Sequence, residues 1–204
     1  MAVILDIIFS LVFGGALLVI VLTANDIANE NYSLYNGDVV VQEMLVSTAE
    51  LVEGELRNMG FGVPEKKQTV LEADTGRIKY LTDLDRNGTI DTITYYVGDT
   101  TELLQTQNEL DRYLRRKVNA GMTAKVGVVT QWRLRYITAS GEVLPTPVEL
   151  DRLTEIHIVE LTMEVQNPYA QLRRTGEVED GQRGALYSSS FWQQTRLASQ
   201  NLRR

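Results

Sequence analysis

Residues Ala2 to Thr23 read AVILDIIFSLVFGGALLVIVLT, and the fold is decided by how this run is buried. It holds one charge, Asp6, and is otherwise almost wholly apolar. About 20 such residues, at a rise of about 1.5 Å each, cross the hydrocarbon core of a bilayer. A core helix of a soluble protein would be shorter and would keep a polar face. Gly14-Gly15 costs helix propensity but lets neighbouring helix backbones approach closely. A cleaved signal peptide fits less well, because no basic residue precedes the run and no small-residue cleavage site follows it. The run is read as a retained membrane or assembly helix.

Asp6 lies about one turn from the chain start. A carboxylate in an apolar helix is costly unless it has a partner, and the nearest cation is an α-amino group, its own or a neighbour's. Ala2 favours removal of Met1, which would place the acid at the fifth position of the mature chain. The alternative is an interfacial position, where the positive end of the helix dipole favours an anion.

After this helix the 204-residue chain has room for one modest domain. Its composition, 44% hydrophobic and 23% charged, argues against wholesale disorder, and its net charge of −7 against nucleic-acid binding as the main task. The local basic groups, Arg112, Arg115, Arg116 and Lys117 and the terminal Arg203-Arg204, read as solvated faces. Without cysteine there is no disulfide framework and no thiol chemistry. The short head before the apolar run places the rest of the chain on the translocated side.

From Asp38 a helical period takes over. Val41, Met44, Leu45, Thr48, Leu51, Val52, Leu56 and Met59 fall on one stripe, with Gln42, Glu43, Glu50, Glu53 and Arg57 opposite. Gly60-Phe61-Gly62 and Pro64 form a stop signal. One long helix over about 3–59 is expected, bent or interrupted at Gly37. Strands follow at Thr69–Ala73, Arg77–Thr82 and Asp91–Val97, then Val126–Thr138 in sustained alternation, Ile156–Val165 and about Ser188–Leu197. Asn167 to Gly184 reads as a polar loop, and Trp132 and Trp192 as core residues. The fold class is α+β. The organisation is an apolar helix over 1–24, its amphipathic continuation over 25–62 and a β-rich domain over 63–204.

The one stretch suggesting chemistry is Asp83-Leu84-Asp85-Arg86-Asn87-Gly88-Thr89-Ile90-Asp91, which matches the first nine positions of a calcium loop. Asp83, Asp85 and Asn87 would offer side-chain oxygens, Thr89 its carbonyl, and Asp91 a direct or water-mediated contact. Thr94 stands where a bidentate Glu should close the shell. The competing reading is a two-residue type I′ hairpin at Asn87-Gly88, pairing Thr82 with Ile93, Tyr80 with Tyr95 and Ile78 with Val97. That register would keep the acids from converging. No catalytic constellation emerges: the only histidine, His157, reads as partly buried and hydrogen-bonded. No phosphate-cradling loop, His/Cys metal cluster or small-molecule substrate site is evident.

These features resemble a type IV pilin-like protein, in particular the minor pilin W and type II secretion pseudopilin J group. The resemblance rests on the apolar start with Asp6, on the helix terminus Glu55-Leu56-Arg57-Asn58-Met59-Gly60-Phe61-Gly62, and on the Asp/Gly turn leading into Tyr95-Tyr96. Trp132–Tyr136 before Ser140-Gly141, Val159–Val165 and Asn201-Leu202-Arg203 are weaker echoes. Family precursors carry a short basic leader ending in glycine, whereas only Met1 precedes this run, and Asp6 replaces the usual Glu. The resemblance implies a structural, non-enzymatic subunit that inserts in the cytoplasmic membrane and then enters an extracytoplasmic filament. It would pack with identical or related subunits through Asp6, Phe9, Phe13, Gly14 and Gly15. The alternative is a bitopic membrane protein whose external β-domain binds a ligand or partner without polymerising.

Overall fold

The computed structural model describes residues 2–64, 68–104, 106, 108–166, 190–198 and 201. The expected loop Asn167 to Gly184, the start of the expected last strand and the closing Leu202-Arg203 lie outside these residues.

Helix α1 spans Ala2–Arg57 and runs through Asn36-Gly37 without interruption. Its 56 residues reach about 84 Å at 1.5 Å each. Nothing in the described chain covers the first half: Val3–Asn29 is a candidate membrane span with mean hydropathy 2.7 and none of that apolar window buried. In the second half Val41, Leu45, Thr48, Ala49, Val52 and Leu56 are buried, with Met59 just beyond the helix. Each large apolar member of this stripe contributes about 1.5–3 kcal/mol on full burial. Two expected positions change sides. Leu51 is exposed, Ala49 takes its place inside, and Glu53 turns toward the β-domain rather than water.

Among the described residues nine strands form two antiparallel sheets. The five-stranded sheet has the order β1 (Val70–Ala73), β2 (Arg77–Thr82), β3 (Asp91–Val97), β4 (Arg112–Val118) and β5 (Thr123–Val129). The four-stranded sheet has the order β7 (Val143–Leu144), β6 (Gln131–Ile137), β8 (Ile158–Gln166) and β9 (Ser190–Ala198). The alternation expected to make one strand of Val126–Thr138 instead serves two, in different sheets, which change over at Thr130. The Thr130 amide donates to the Glu164 carbonyl at 2.9 Å, so the chain passes between sheets with no turn residue to announce it.

β4 was not anticipated, because Arg115-Arg116-Lys117 looks uniformly solvated. As a strand it sends alternate residues to opposite faces. Leu114 and Arg116 point inward, while Arg115 and Lys117 point outward.

One core joins helix and sheets. Tyr95 and Trp132 stack across the sheets with ring centroids 6.5 Å apart. The Tyr136 hydroxyl of β6 donates to the Asp74 carbonyl of the β1–β2 turn at 2.9 Å. Polar clamps then fix the helix. Glu55 accepts Arg116 Nε at 2.9 Å, a second guanidinium nitrogen at 2.7 Å and the Tyr95 hydroxyl at 2.6 Å. Burial, and then the hydrogen bond to Glu55, hold the Tyr95 phenol well above its ordinary range. Glu53 accepts Thr195 Oγ1 at 2.6 Å and Gln193 Nε2 at 2.8 Å from β9. On the far face of the four-stranded sheet, buried Glu160 accepts Arg196 Nε at 2.7 Å and Arg135 at 3.0 Å.

Two outcomes follow. Glu55→Ala strands the Arg116 charge and the Tyr95 hydroxyl, and should cost about 3 kcal/mol, read as a lower urea midpoint. Glu50→Ala, exposed on the same helix, should leave the midpoint unchanged. The Arg196 hydrogen bond, helped by Arg135, holds the Glu160 carboxyl below its usual range. Its stabilisation is present above the unfolded value of about 4.3 and is lost as pH falls through the lower folded value. Urea midpoints of the parent should therefore drop more steeply below about pH 4.3 than those of Glu160→Gln.

Candidate functional site

The acidic loop is built onto the end of the helix. Gly60 and Gly62 leave α1 with φ of 78° and 73°, a region that favours glycine. The Gly60 amide donates to the Leu81 carbonyl, and the Asp83 amide to the Phe61 carbonyl at 2.8 Å. A Cβ on Gly62 would meet the Asp83 Cβ at 2.8 Å, so the helix exit and the first acid touch.

The tight hairpin is not formed. Ile78 pairs with Tyr95, Tyr80 with Ile93 and Thr82 with Asp91, two residues away from the type I′ register. Residues 83–90 are thereby left as a wide loop. The positive φ angles fall on Arg86 (58°) and Gly88 (85°), not on adjacent central residues as a type I′ turn requires. The cause is Asp83. Its two carboxylate oxygens accept the amides of Asn87 and Gly88, each at 3.0 Å, and draw the chain round the acid. Asp85 accepts the Asn87 amide at 3.3 Å and its side-chain nitrogen at 2.8 Å. Asp91 opens β3 and accepts the Leu84 amide at 3.3 Å and Asn119 Nδ2 at 2.7 Å.

The loop brings Asp83, Asp85 and Asp91 together, with one oxygen from each within 4.8 Å of the others. Asp83 is buried, Asp85 exposed and Asp91 half-buried. Among the described residues none of the three has a Lys or Arg within ion-pair distance. Three carboxylates in one place without a cation repel each other, and a hard divalent ion is the partner such oxygens suit. Arg86 makes no ion pair with them, and its guanidinium lies 5.5 Å over the Phe61 ring. Asn87 Oδ1 accepts both the Thr89 amide and the Thr89 hydroxyl. Thr94 is buried in β3 between Lys79 and Lys117 in the register, away from the loop, and closes no shell. Asn119, which orients Asp91, went unrecognised; it lies 28 residues further on and only the pairing of β3 with β4 brings it near.

The residues expected to mediate assembly are placed differently. Asp6, Phe9, Phe13, Gly14 and Gly15 all lie on the uncovered half of α1. Phe9 and Phe13 stack with centroids 6.5 Å apart, and a Cβ on either glycine would meet nothing within 4 Å. His157 is partly buried, its Nδ1 donating to the Glu155 carbonyl at 3.0 Å. Trp132 is core as expected, but Trp192 is 67% exposed on the outward side of β9. No protein-family model, curated protein or solved structure matches the chain.

Proposed function

We propose that the chain is a structural subunit of a pilus-like or pseudopilus filament. One observation carries this reading: the 27-residue apolar span Val3–Asn29 has no cover, yet continues without a break into a helix locked to a folded β-domain. Before assembly the span lies in the cytoplasmic membrane with the β-domain outside. On assembly, burial of the span among identical or related helices removes it from lipid without exposing it to water. Gly14 and Gly15 leave room for a close neighbour, and Phe9 and Phe13 supply a stacked aromatic contact for it. Asp6 meets the α-amino group of an adjacent subunit, an exchange that makes a carboxylate tolerable in a low-dielectric bundle. The resemblance of the helix terminus and of the Asp/Gly loop to the minor pilin W and pseudopilin J group supports the same reading.

The discriminating experiment is electron microscopy of material sheared from cells producing the chain. Helical fibres containing it are expected, whereas membrane-embedded monomers alone would favour a bitopic receptor. Asp6→Ala should retain membrane insertion and reduce fibre yield about tenfold or more, the equivalent of about 1.4 kcal/mol lost per contact. Fibres at the parental level in that variant would remove Asp6 from the mechanism.

The same reading gives the Asp83–Asp91 loop an external Ca²⁺ as a structural staple. With Thr94 in place of the closing Glu, affinity falls in the 10⁻⁴–10⁻³ M range of extracellular modules. Calcium at about ten times its dissociation constant adds about 1.4 kcal/mol, a rise of about 3–5 °C in melting temperature for a domain of this size. Full-length protein in detergent, first stripped with chelator, should show that rise, and Asp85→Ala should abolish it. An unchanged melting curve would leave the loop as a self-bonded turn.

A further inference from the structure

The outward face of the five-stranded sheet holds a second arrangement. The alternation that turns Ile78, Tyr80, Ile93, Tyr95 and Leu114 inward turns Lys79, Thr94 and Lys117 outward. Register sets these three side by side, Lys79 opposite Thr94 and Thr94 opposite Lys117. Strands lie about 4.8 Å apart, so the lysines rise about 10 Å from each other with the buried threonine as a floor between them.

Other cations of this face are engaged. Arg77 pairs with Glu72 at 3.2 Å, Arg115 pairs with Glu102, and Lys125 lies 3.8 Å over the Tyr113 ring. Lys79 and Lys117 have no carboxylate within ion-pair distance among the described residues. In a chain of net charge −7, two uncompensated ammonium groups facing one space oppose the sign of the whole.

That space is an open hollow of about 630 Å³ whose lining includes Lys79, Lys117, Thr92, Thr94 and Tyr96. The volume suits a small ligand, but the lining lacks the apolar and aromatic majority of a typical site. It offers hydroxyls, ammonium groups and one phenol instead. A bare oxyanion would satisfy the two charges and leave most of the hollow to water. A ligand rich in hydroxyls that also carries a negative group uses both features.

We propose that this face binds an acidic saccharide, a sugar bearing a carboxylate or sulfate. Lys79 and Lys117 hold the anionic group, Thr92 and Thr94 meet the sugar hydroxyls, and Tyr96 borders the sugar with the Arg77 guanidinium, which also lines the hollow, 5.7 Å over its ring. Asn119 also borders the hollow, but its side chain is committed to Asp91 and the Thr92 amide and serves as wall. The site does not depend on polymerisation.

The test is isothermal titration of the full-length chain in non-ionic detergent. The probes are trigalacturonate, a heparin-derived sulfated disaccharide, neutral maltotriose and sodium sulfate. At least one acidic saccharide should bind with a dissociation constant of about 1 mM or below, weakening as sodium chloride rises. Preference between the two identifies the anionic group. Lys79→Gln and Lys117→Gln, surface changes on separate strands, should each weaken binding about tenfold, the loss of one charge-assisted contact. Arg133→Gln, an exposed cation on the other sheet, should leave it unchanged. Four results overturn the proposal: no binding of either acidic saccharide, equal binding of maltotriose, equal binding of sulfate ion, or parental affinity in both lysine variants.

Discussion

Glu53 and Glu55 are one residue apart from being neighbours, and the whole β-domain is arranged around their divergence. Residues two apart on an α-helix point about 200° away from each other. Glu53 therefore reaches β9 of the four-stranded sheet while Glu55 reaches β3 and β4 of the five-stranded one. The apolar residues beside them, Val52 and Leu56, fill the core that both sheets share. A single helix turn thus carries polar contacts to both sheets. Apolar contact alone is non-directional, whereas a carboxylate held by a guanidinium fork and a phenol has one orientation.

The same divergence explains where the sequence misleads. A helical stripe is found by asking which residues are apolar, so Glu53 fell on the water side and Leu51 in the core. The helix is touched from two directions, and its buried arc is wide enough to include a glutamate and a small Ala49. The long helix, its stop at Gly60-Phe61-Gly62 and the strands Arg77–Thr82 and Asp91–Val97 were legible because one local force dominates each. β4 was hidden because charge looks like solvation until a partner strand splits Arg115 from Arg116. The break at Thr130 was hidden because Val128, Thr130 and Trp132 read as one alternation, whereas the inward phase shifts from Val129 in β5 to Trp132 in β6. Trp192 is exposed because it pairs with Glu164 on the face turned away from the core, which its own apolar character does not report.

The two halves of α1 pose different problems to the same physics. The second half completes its burial within the chain, and its last turn is clamped by charge. Among the described residues nothing covers the first half, and the β-domain packs on the other end. Its length and hydropathy suit the core of a bilayer. The stacked Phe9 and Phe13 and the open Gly14-Gly15 offer relief and depression on an otherwise uniform cylinder. Lipid chains make little use of such shape, whereas a packed neighbour does.

The acidic loop shows how a side chain overrides turn propensity. Asn87-Gly88 is the strongest short hairpin signal available, and a two-residue turn would have extended the β2–β3 ladder. Asp83 defeats it by accepting two amides at once, bonds to a charged acceptor that are stronger than neutral ones. Its position is in turn fixed by the helix stop, since the Phe61 carbonyl takes its amide and Gly62 leaves room for its Cβ. The glycines that end the helix thereby decide that the acids converge. Convergence places one carboxylate oxygen from each of the three acids within 4.8 Å of the others, where like charges repel. A loop built on the exit of α1 couples any bound cation to the fixed end of the helix rather than to a free surface turn.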